Sequence, residues 1–232
     1  MMYFTYGGES SADYNVFISG EATFDVPKRK TTKASVAGRN GDIILADEDF
    51  ENIEVKYPAF ILENLPDRFG ALQAMMASKS GYVRLEDTYH PEEYRMAHYE
   101  AGASVKTGVL NRSGKFEIKF DCTPQRFLKV GEKAVSFDAS GDIVNPTRFP
   151  SKPKLRVYGV GNVTIGGQVI AIASADGYTD IDCEIMEAYK GTVNKNASVT
   201  LPDALVLSSG VNTITLGSGI TEVVVQPRWW TI

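Results

Sequence analysis

From Leu155 onward the chain offers strand signals at short intervals and no helical periodicity: "LRVYGV", "VTIGGQVIAI", "YTDIDCEIMEAY", "ASVTLP", "NTITLG" and "TEVVVQPRWW". Several short strands at roughly 8 to 12 residue spacing restrict this half to a sandwich or jelly roll. Upstream, "KVGEKAVSFDASGDIVNPTRFPSKP" brings three prolines and several turn residues, which predicts a change of domain. The expected division is residues 1–135 and 136–232. At 232 residues each part can bury a core of its own.

The first part is also mainly β. "YNVFISGEATFDVP" places Val16, Ile18, Phe24 and Val26 at period two, with Gly20 at a turn or bulge. Ile53 to Leu62 reads as a strand, and Pro58 predicts an edge or a bend. "NLPDRFGALQAMMASKSG" predicts one helix over about 66–79, with Asn64 or Asp67 as cap. Leu65, Phe69, Leu72 and Met76 form its core stripe, and Gly81 is expected to end it. Gly102 to Val109 and Lys115 to Cys122 read as paired strands around "LNRSG". In the second of these Phe116, Ile118 and Phe120 face the core, while Lys115, Glu117, Lys119 and Asp121 face out.

Residues 28 to 45, "KRKTTKASVAGRNGDIIL", carry an Asn40-Gly41 pair between two extended runs. That pair predicts a type I′ hairpin, because both central residues must take φ > 0. The first arm, with Lys28, Arg29, Lys30 and Lys33, has hardly any apolar face; the returning arm brings Ile43, Ile44 and Leu45. A lone two-stranded hairpin is marginal in water, so this one must lean on something. Either its cations guard an exposed edge, or the ribbon is one half of an interface.

Catalytic chemistry has little to work with. His90 and His98 belong to no HExxH pattern and read as loop or interface residues, and no GxSxG elbow occurs. Cys122 and Cys183 stand far apart, without zinc-ligand spacing, and read as free, mostly buried thiols. "GVGNVTIGG" fails as a phosphate cradle because Thr164 stands where a third glycine belongs and a strand follows instead of a helix. In "DGYTDIDCE", Asp180, Asp182 and Glu184 form a carboxylate row opposite Ile181, Cys183 and Ile185. The row reads as a solvated or intersubunit face; a cation site or a glycosidase pair are the sharper alternatives. Trp229 and Trp230 read as a terminal strand tied into a core or a neighbour, or as a stacking platform for sugar.

The net charge of −5 and pI near 5.2 argue against a nucleic-acid or anionic-membrane binder. No apolar run approaches a membrane span and no signal core opens the sequence, which predicts assembly in a cytoplasm.

The order "VAGRNGDI", "HPEEYRMA", "KFEIKFDCTPQRFL", "NPTRFPSKPKLRVYGVG", "IDCEIMEAYKG" and "PRWW" resembles the distal tail protein (Dit) family of long-tailed phages and prophages of Gram-positive bacteria, over nearly the whole chain. The resemblance implies a fold: an N-terminal β-sandwich-like ring domain with one helix and a protruding belt hairpin (about 28–47), then a C-terminal galectin-like β-sandwich. It implies a function as well, that of a homo-hexameric ring joining the tail tube and tape measure proteins to the tail-associated (Tal) and receptor-binding or baseplate proteins of the virion. Neither enzyme activity nor any cofactor, metal, sequence-specific nucleic acid or membrane is implied. The belt interface would then comprise Arg29, Lys30, Lys33, Val36, Arg39, Asn40, Gly41, Asp42, Ile43, Ile44 and Leu45. A second candidate face, for interface or saccharide, comprises Asp180, Asp182, Glu184, Trp229 and Trp230. The competing reading is a carbohydrate-binding module that recognises host cell-wall saccharide through the C-terminal sandwich.

Overall fold

The computed structural model describes residues 1–20, 26–100, 105–107 and 112–232, and only the backbone of residues 45–48. Phe24 and most of the expected Gly102–Val109 strand lie outside the described residues; Lys106–Thr107 pairs with Gly114–Lys115 as an extended segment. The protein is mainly β, with one α-helix among the described residues. It divides into two compact units, Met1–Arg126 with Ile232, and Phe127–Thr231.

In the first unit an antiparallel sheet runs in the order Glu9–Ser10, Phe4–Tyr6, Val83–Asp87, Glu93–His98, Gly114–Cys122, Ile53–Ile61, Val16–Ile18. The sandwich-like form arises by curling: the Ile18 amide donates to the Met2 carbonyl at 2.9 Å, which brings the far end of the sheet back beside its start. The backbone of the unit is the pairing of Ile53–Ile61 with Gly114–Cys122, in unbroken register from Ile53↔Cys122 to Ile61↔Gly114. Both strands alternate strictly, so Ile53, Val55, Tyr57, Ala59 and Ile61 meet Phe116, Ile118, Phe120 and Cys122 on one buried face. Phe4 and Tyr6 close that core around Phe120, at ring-centroid distances of 5.6 and 5.1 Å.

Pro58 sits inside this strand rather than ending it. Its carbonyl accepts the Ser19 amide at 2.7 Å, so its backbone edge faces away from Gly114–Cys122. The missing N–H thus costs only the reciprocal bond to Ser19, just past the end of the Val16–Ile18 strand, and leaves the ladder with Gly114–Cys122 intact.

The helix spans Leu65–Ala77, with Pro66 in its first turn and Leu65, Leu72, Met75 and Met76 buried. Phe69 packs edge-on against Phe116 at 4.8 Å. Asn64 occupies the N-cap position but in a left-handed conformation, and its side chain makes no cap bond. Ser78, not Gly81, closes the helix, its hydroxyl donating to the Met75 carbonyl at 2.7 Å.

The second unit is a two-sheet sandwich. One sheet runs Val135–Phe137, Ile220–Gln226, Lys154–Gly159, Tyr178–Asp182, Glu187–Lys190, Val193–Asn194; the other runs Gly141–Asn145, Gly210–Leu216, Gly161–Ile165, Gln168–Ile172, Val199–Thr200. Leu155, Val157, Ile181, Val223 and Val225 of the first share one apolar cluster with Ile143, Val163, Ile165, Ile170 and Ile214 of the second.

The chain changes sheets twice at the same corner. It leaves the first sheet through Gly159-Val160-Gly161 and returns to it through Gly217-Ser218-Gly219, with the Val160 amide bonded to the Gly219 carbonyl at 3.1 Å. The two crossings lie so close that a Cβ on Gly159 would sit 2.1 Å from the Gly219 oxygen, and one on Gly219 would sit 2.2 Å from the Val160 oxygen. Gly159 and Gly161 of "GVGNVTIGG" therefore serve backbone approach, while Gly166 and Gly167 form the turn between Gly161–Ile165 and Gln168–Ile172. Gly210 provides an internal control, because its φ of +85° resembles the +87° of Gly219 while nothing lies within 4 Å of its Cβ position. Both Gly→Ala changes incur the left-handed backbone cost of about 1–2 kcal/mol, and Gly219→Ala should lose about 1–3 kcal/mol more from the overpacked corner. Both tryptophans of the chain, Trp229 and Trp230, lie in this unit, so denaturant unfolding followed by tryptophan fluorescence measures the difference directly.

Candidate functional site

The hairpin comprises Arg29–Ala34 and Ile43–Phe50, and among the described residues these two strands pair only with each other. The inner backbone groups of each strand are paired across the ribbon while the outer ones meet no other described strand, and its described side chains have little to pack on. Arg29 to Lys33 are exposed throughout, Ile44 is 60% exposed and Val36 is 44% exposed. One contact orders its base, where the Arg29 guanidinium lies over the Phe50 ring at 4.8 Å.

The tip departs from the expected type I′ turn. Ala34 pairs with Ile43, so residues 35–42 form a longer loop. Its tight turn is Val36-Ala37-Gly38-Arg39, closed by the Arg39 amide on the Val36 carbonyl at 3.2 Å, with Gly38 at φ +81°. That is the φ > 0 position of a type II turn. Gly41 takes φ +82° but Asn40 keeps a negative φ, so Asn40-Gly41 bends the returning arm instead of making the reversal. Asn40, Gly41 and Asp42 still lie on the exposed tip beside Val36 and Arg39, and the Leu45 backbone continues the strand.

The acidic strand is not an open carboxylate face. Asp180 is 5% exposed and is held by both arms of a fork, with Arg156 Nε at 2.7 Å and Nη2 at 2.9 Å. Arg156 stands directly opposite it across the strand pair and also lies over the Tyr178 ring at 4.3 Å. Asp182 receives a second fork from Arg228 at 2.7 and 2.8 Å, and caps the following turn by accepting the Glu184 amide at 3.0 Å. Glu184 is exposed and faces Lys152 at 3.6 Å. Each member of the row thus meets its own cation, which removes the open oxygens that a cation site or a glycosidase pair requires.

Alternation also ends sooner than expected. The strand stops at Asp182, and a turn over residues 183–186 with Met186 at φ +54° leaves Ile185 61% exposed. Cys183 stays inside, and burial, aided by the Asp182 charge, pushes its thiol up to about 12, where it is inert. Cys122 is likewise free and buried.

Trp229 is 4% exposed and belongs to the core. Trp230 stacks on Phe149 at 4.5 Å and donates its indole N–H to the Pro150 carbonyl at 2.9 Å. Neither ring is left as a bare sugar platform. Asn212 is buried and bonds both backbone groups of Ser208, and Asn196 accepts the Ala188 amide. His90 bonds the Asp87 carboxylate and His98 the Gly81 carbonyl, both as structural contacts.

The residues that sequence reading missed are Arg156 and Arg228. Arg156 alternates with Leu155 and Val157 in "LRVYGV" and so was visible as an outward cation, but its partner depends on a register that local pattern does not carry.

Burial works to raise the Asp182 carboxyl, and the Arg228 fork with the Glu184 amide outweighs it, holding the group below the usual carboxylate range. A depressed folded-state value contributes stability above the unfolded value near pH 3.9, and that stability is lost as pH falls through the folded value. Asp182→Asn should therefore destabilise the unit by roughly 2 kcal/mol at neutral pH, the scale of a hydrogen-bonded charge. It should also flatten the fall in stability below about pH 4, read as the denaturant midpoint of tryptophan fluorescence against pH.

No protein-family model and no curated protein sequence matches the chain. Among solved structures it is similar to the SPP1 Dit (gp 19.1) protein, a paradigm of the hub adsorption apparatus in Gram-positive infecting phages, over 100% of both chains, with a TM-score of 0.77 and 15% identity. It is also similar to a chain of the phage p2 baseplate in its activated conformation with Sr, over 97% of this chain and 98% of that one, with a TM-score of 0.52 and 10% identity. From end to end, the chain carries the fold of the phage distal tail protein Dit.

Proposed function

We propose that this chain is the hub of a phage tail tip. Six copies close into a ring, with the hairpin of each laid on the next. One face of the ring meets the tail tube and tape measure proteins; the other meets the tail-associated and receptor-binding or baseplate proteins. The C-terminal sandwich, galectin-like in form, serves docking or spacing within the virion. The role is structural rather than catalytic.

The observation that carries this reading is the hairpin. A ribbon with two open backbone edges, exposed cations and an exposed Ile44 gains nothing from standing in water, but it is suited to burial against a second protein surface. In a ring that contact is heterologous, each copy giving one surface and receiving another until the rotation closes. The likeness to SPP1 Dit across the full length of both chains supports the same reading. No helix of the described residues is long and apolar enough to cross a membrane.

Light scattering on the purified protein, followed by negative-stain imaging, should give the mass and outline of closed rings of six. Removing the tip residues 37–41 should yield smaller species with unchanged tryptophan-detected unfolding. Rings that persist without the tip would remove the hairpin from the interface.

Ile44→Asp is the finer test. Ile44 is exposed within its own chain, so the change should move the stability of the isolated fold by no more than about 0.5 kcal/mol. At an interface it buries a charge without a partner, and the ring population at a given concentration should collapse. A variant that assembles like the parent chain would place Ile44 outside the contact.

A further inference from the structure

Asn40-Gly41 is the one Asn-Gly pair of the chain; every other asparagine precedes a residue that carries a Cβ. The pair has the composition of a hairpin turn but does not make the reversal, and both residues are exposed. They lie after the Val36–Arg39 turn and before the ladder, which opens at Ala34↔Ile43. Among the described residues neither the Asn40 carboxamide nor the Gly41 amide has a hydrogen-bond partner. Nothing lies within 4 Å of the Cβ position of Gly41.

This is the setting in which a backbone amide nitrogen attacks the carboxamide that precedes it. A side chain on the following residue would shield that nitrogen and restrict its backbone, and glycine does neither. A hydrogen bond would withhold the amide, and a turn or ladder would fix the Asn40 backbone. The tip imposes neither restraint on this pair.

We propose that Asn40 is a self-modification site, at which the free subunit converts asparagine to isoaspartate and aspartate. The Gly41 nitrogen loses its proton and bonds to Asn40 Cγ; the bond from Cγ to the side-chain nitrogen breaks, and ammonia departs with the proton. Water then opens the cyclic imide at either carbonyl. Opening at Cγ gives aspartate. Opening at the backbone carbonyl gives isoaspartate, in which the chain runs through Cγ and the α-carboxylate is free. The consequence for assembly rests on the hub reading. Both products place a second carboxylate beside Asp42 on a tip whose cations are Lys33 and Arg39, and isoaspartate also lengthens the approach to Ile43 and Ile44. A subunit converted before assembly is thereby excluded from the ring.

The purified full chain, incubated at mildly alkaline pH and digested at acidic pH, should show by peptide mass mapping that Asn40 converts ahead of every other asparagine. A segment that needs no opening should react within about threefold of its rate in the denatured chain. Isoaspartyl methyltransferase should label the product, and Gly41→Ala should remove most of the label. A native rate below that range, or another asparagine converting first, would overturn the site; because the map uses the unaltered chain, it stands whatever Gly41→Ala does to the tip. When aged protein is separated by size, the converted peptide should be several-fold enriched in species smaller than the ring, and equal content in both fractions would overturn the exclusion. Fresh protein that forms no rings would sink the hub reading instead, and the peptide map would still decide the site.

Discussion

A two-stranded ribbon pairs only the inner half of its backbone and cannot enclose anything. The Arg29–Phe50 hairpin closes its own ladder, and the Arg29 guanidinium over the Phe50 ring orders its base. Beyond that point the stability of an isolated hairpin falls short in water. The ordering entropy of these residues must be offset elsewhere. The rest of the first unit is self-sufficient: its core is closed by the long Ile53–Ile61 and Gly114–Cys122 pairing, by the curl of the sheet and by the helix. None of the described buried residues of that core comes from the hairpin, which is why the proposed ring places its packing surface on a neighbouring copy.

Charge follows a complementary pattern. In the second unit the outward acidic row is neutralised by cations of the same unit, Arg156, Arg228 and Lys152, in forks or close pairs. Such pairs define register and tie the Pro227–Trp230 segment down; they offer little unspent charge to a partner. On the hairpin, Lys30, Lys33 and Arg39 carry no ion pair with any described carboxylate. Unspent charge beside exposed apolar side chains gives a partner both steering and burial, which is why the interface assignment rests on the hairpin and not on the acidic strand.

Local pattern was sufficient wherever one face of a long element is buried. Gly114–Cys122 and the helix both read correctly, because alternation and the 3.6-residue stripe record the same burial that stabilises them. Boundaries and partners were less legible. Asn40-Gly41 has the composition of a hairpin turn, yet Ala37-Gly38 makes the reversal, since the register Ala34↔Ile43 leaves a loop too long for a two-residue turn. Pro58 predicts an edge or a bend, yet the strand runs through it, because its missing N–H points away from the long Gly114–Cys122 partner and toward the end of a short one. Asp180 was assigned to the correct face and the wrong environment: alternation says which way a side chain points, whereas Arg156 opposite it is set by pairing between strands separated in sequence.

The corner of the sandwich shows how a nonlocal constraint can leave a local trace that is open to misreading. Gly159 and Gly161, in a run that resembles a phosphate loop, matter because the chain passes Gly217 and Gly219 at backbone contact. Two glycine-bearing segments far apart in sequence, each between runs of β-branched residues, are the trace of a double crossing between sheets. Neither segment alone distinguishes a turn from a cradle. Together they specify that two backbones must touch, and that contact fixes how the two sheets of the second unit are joined.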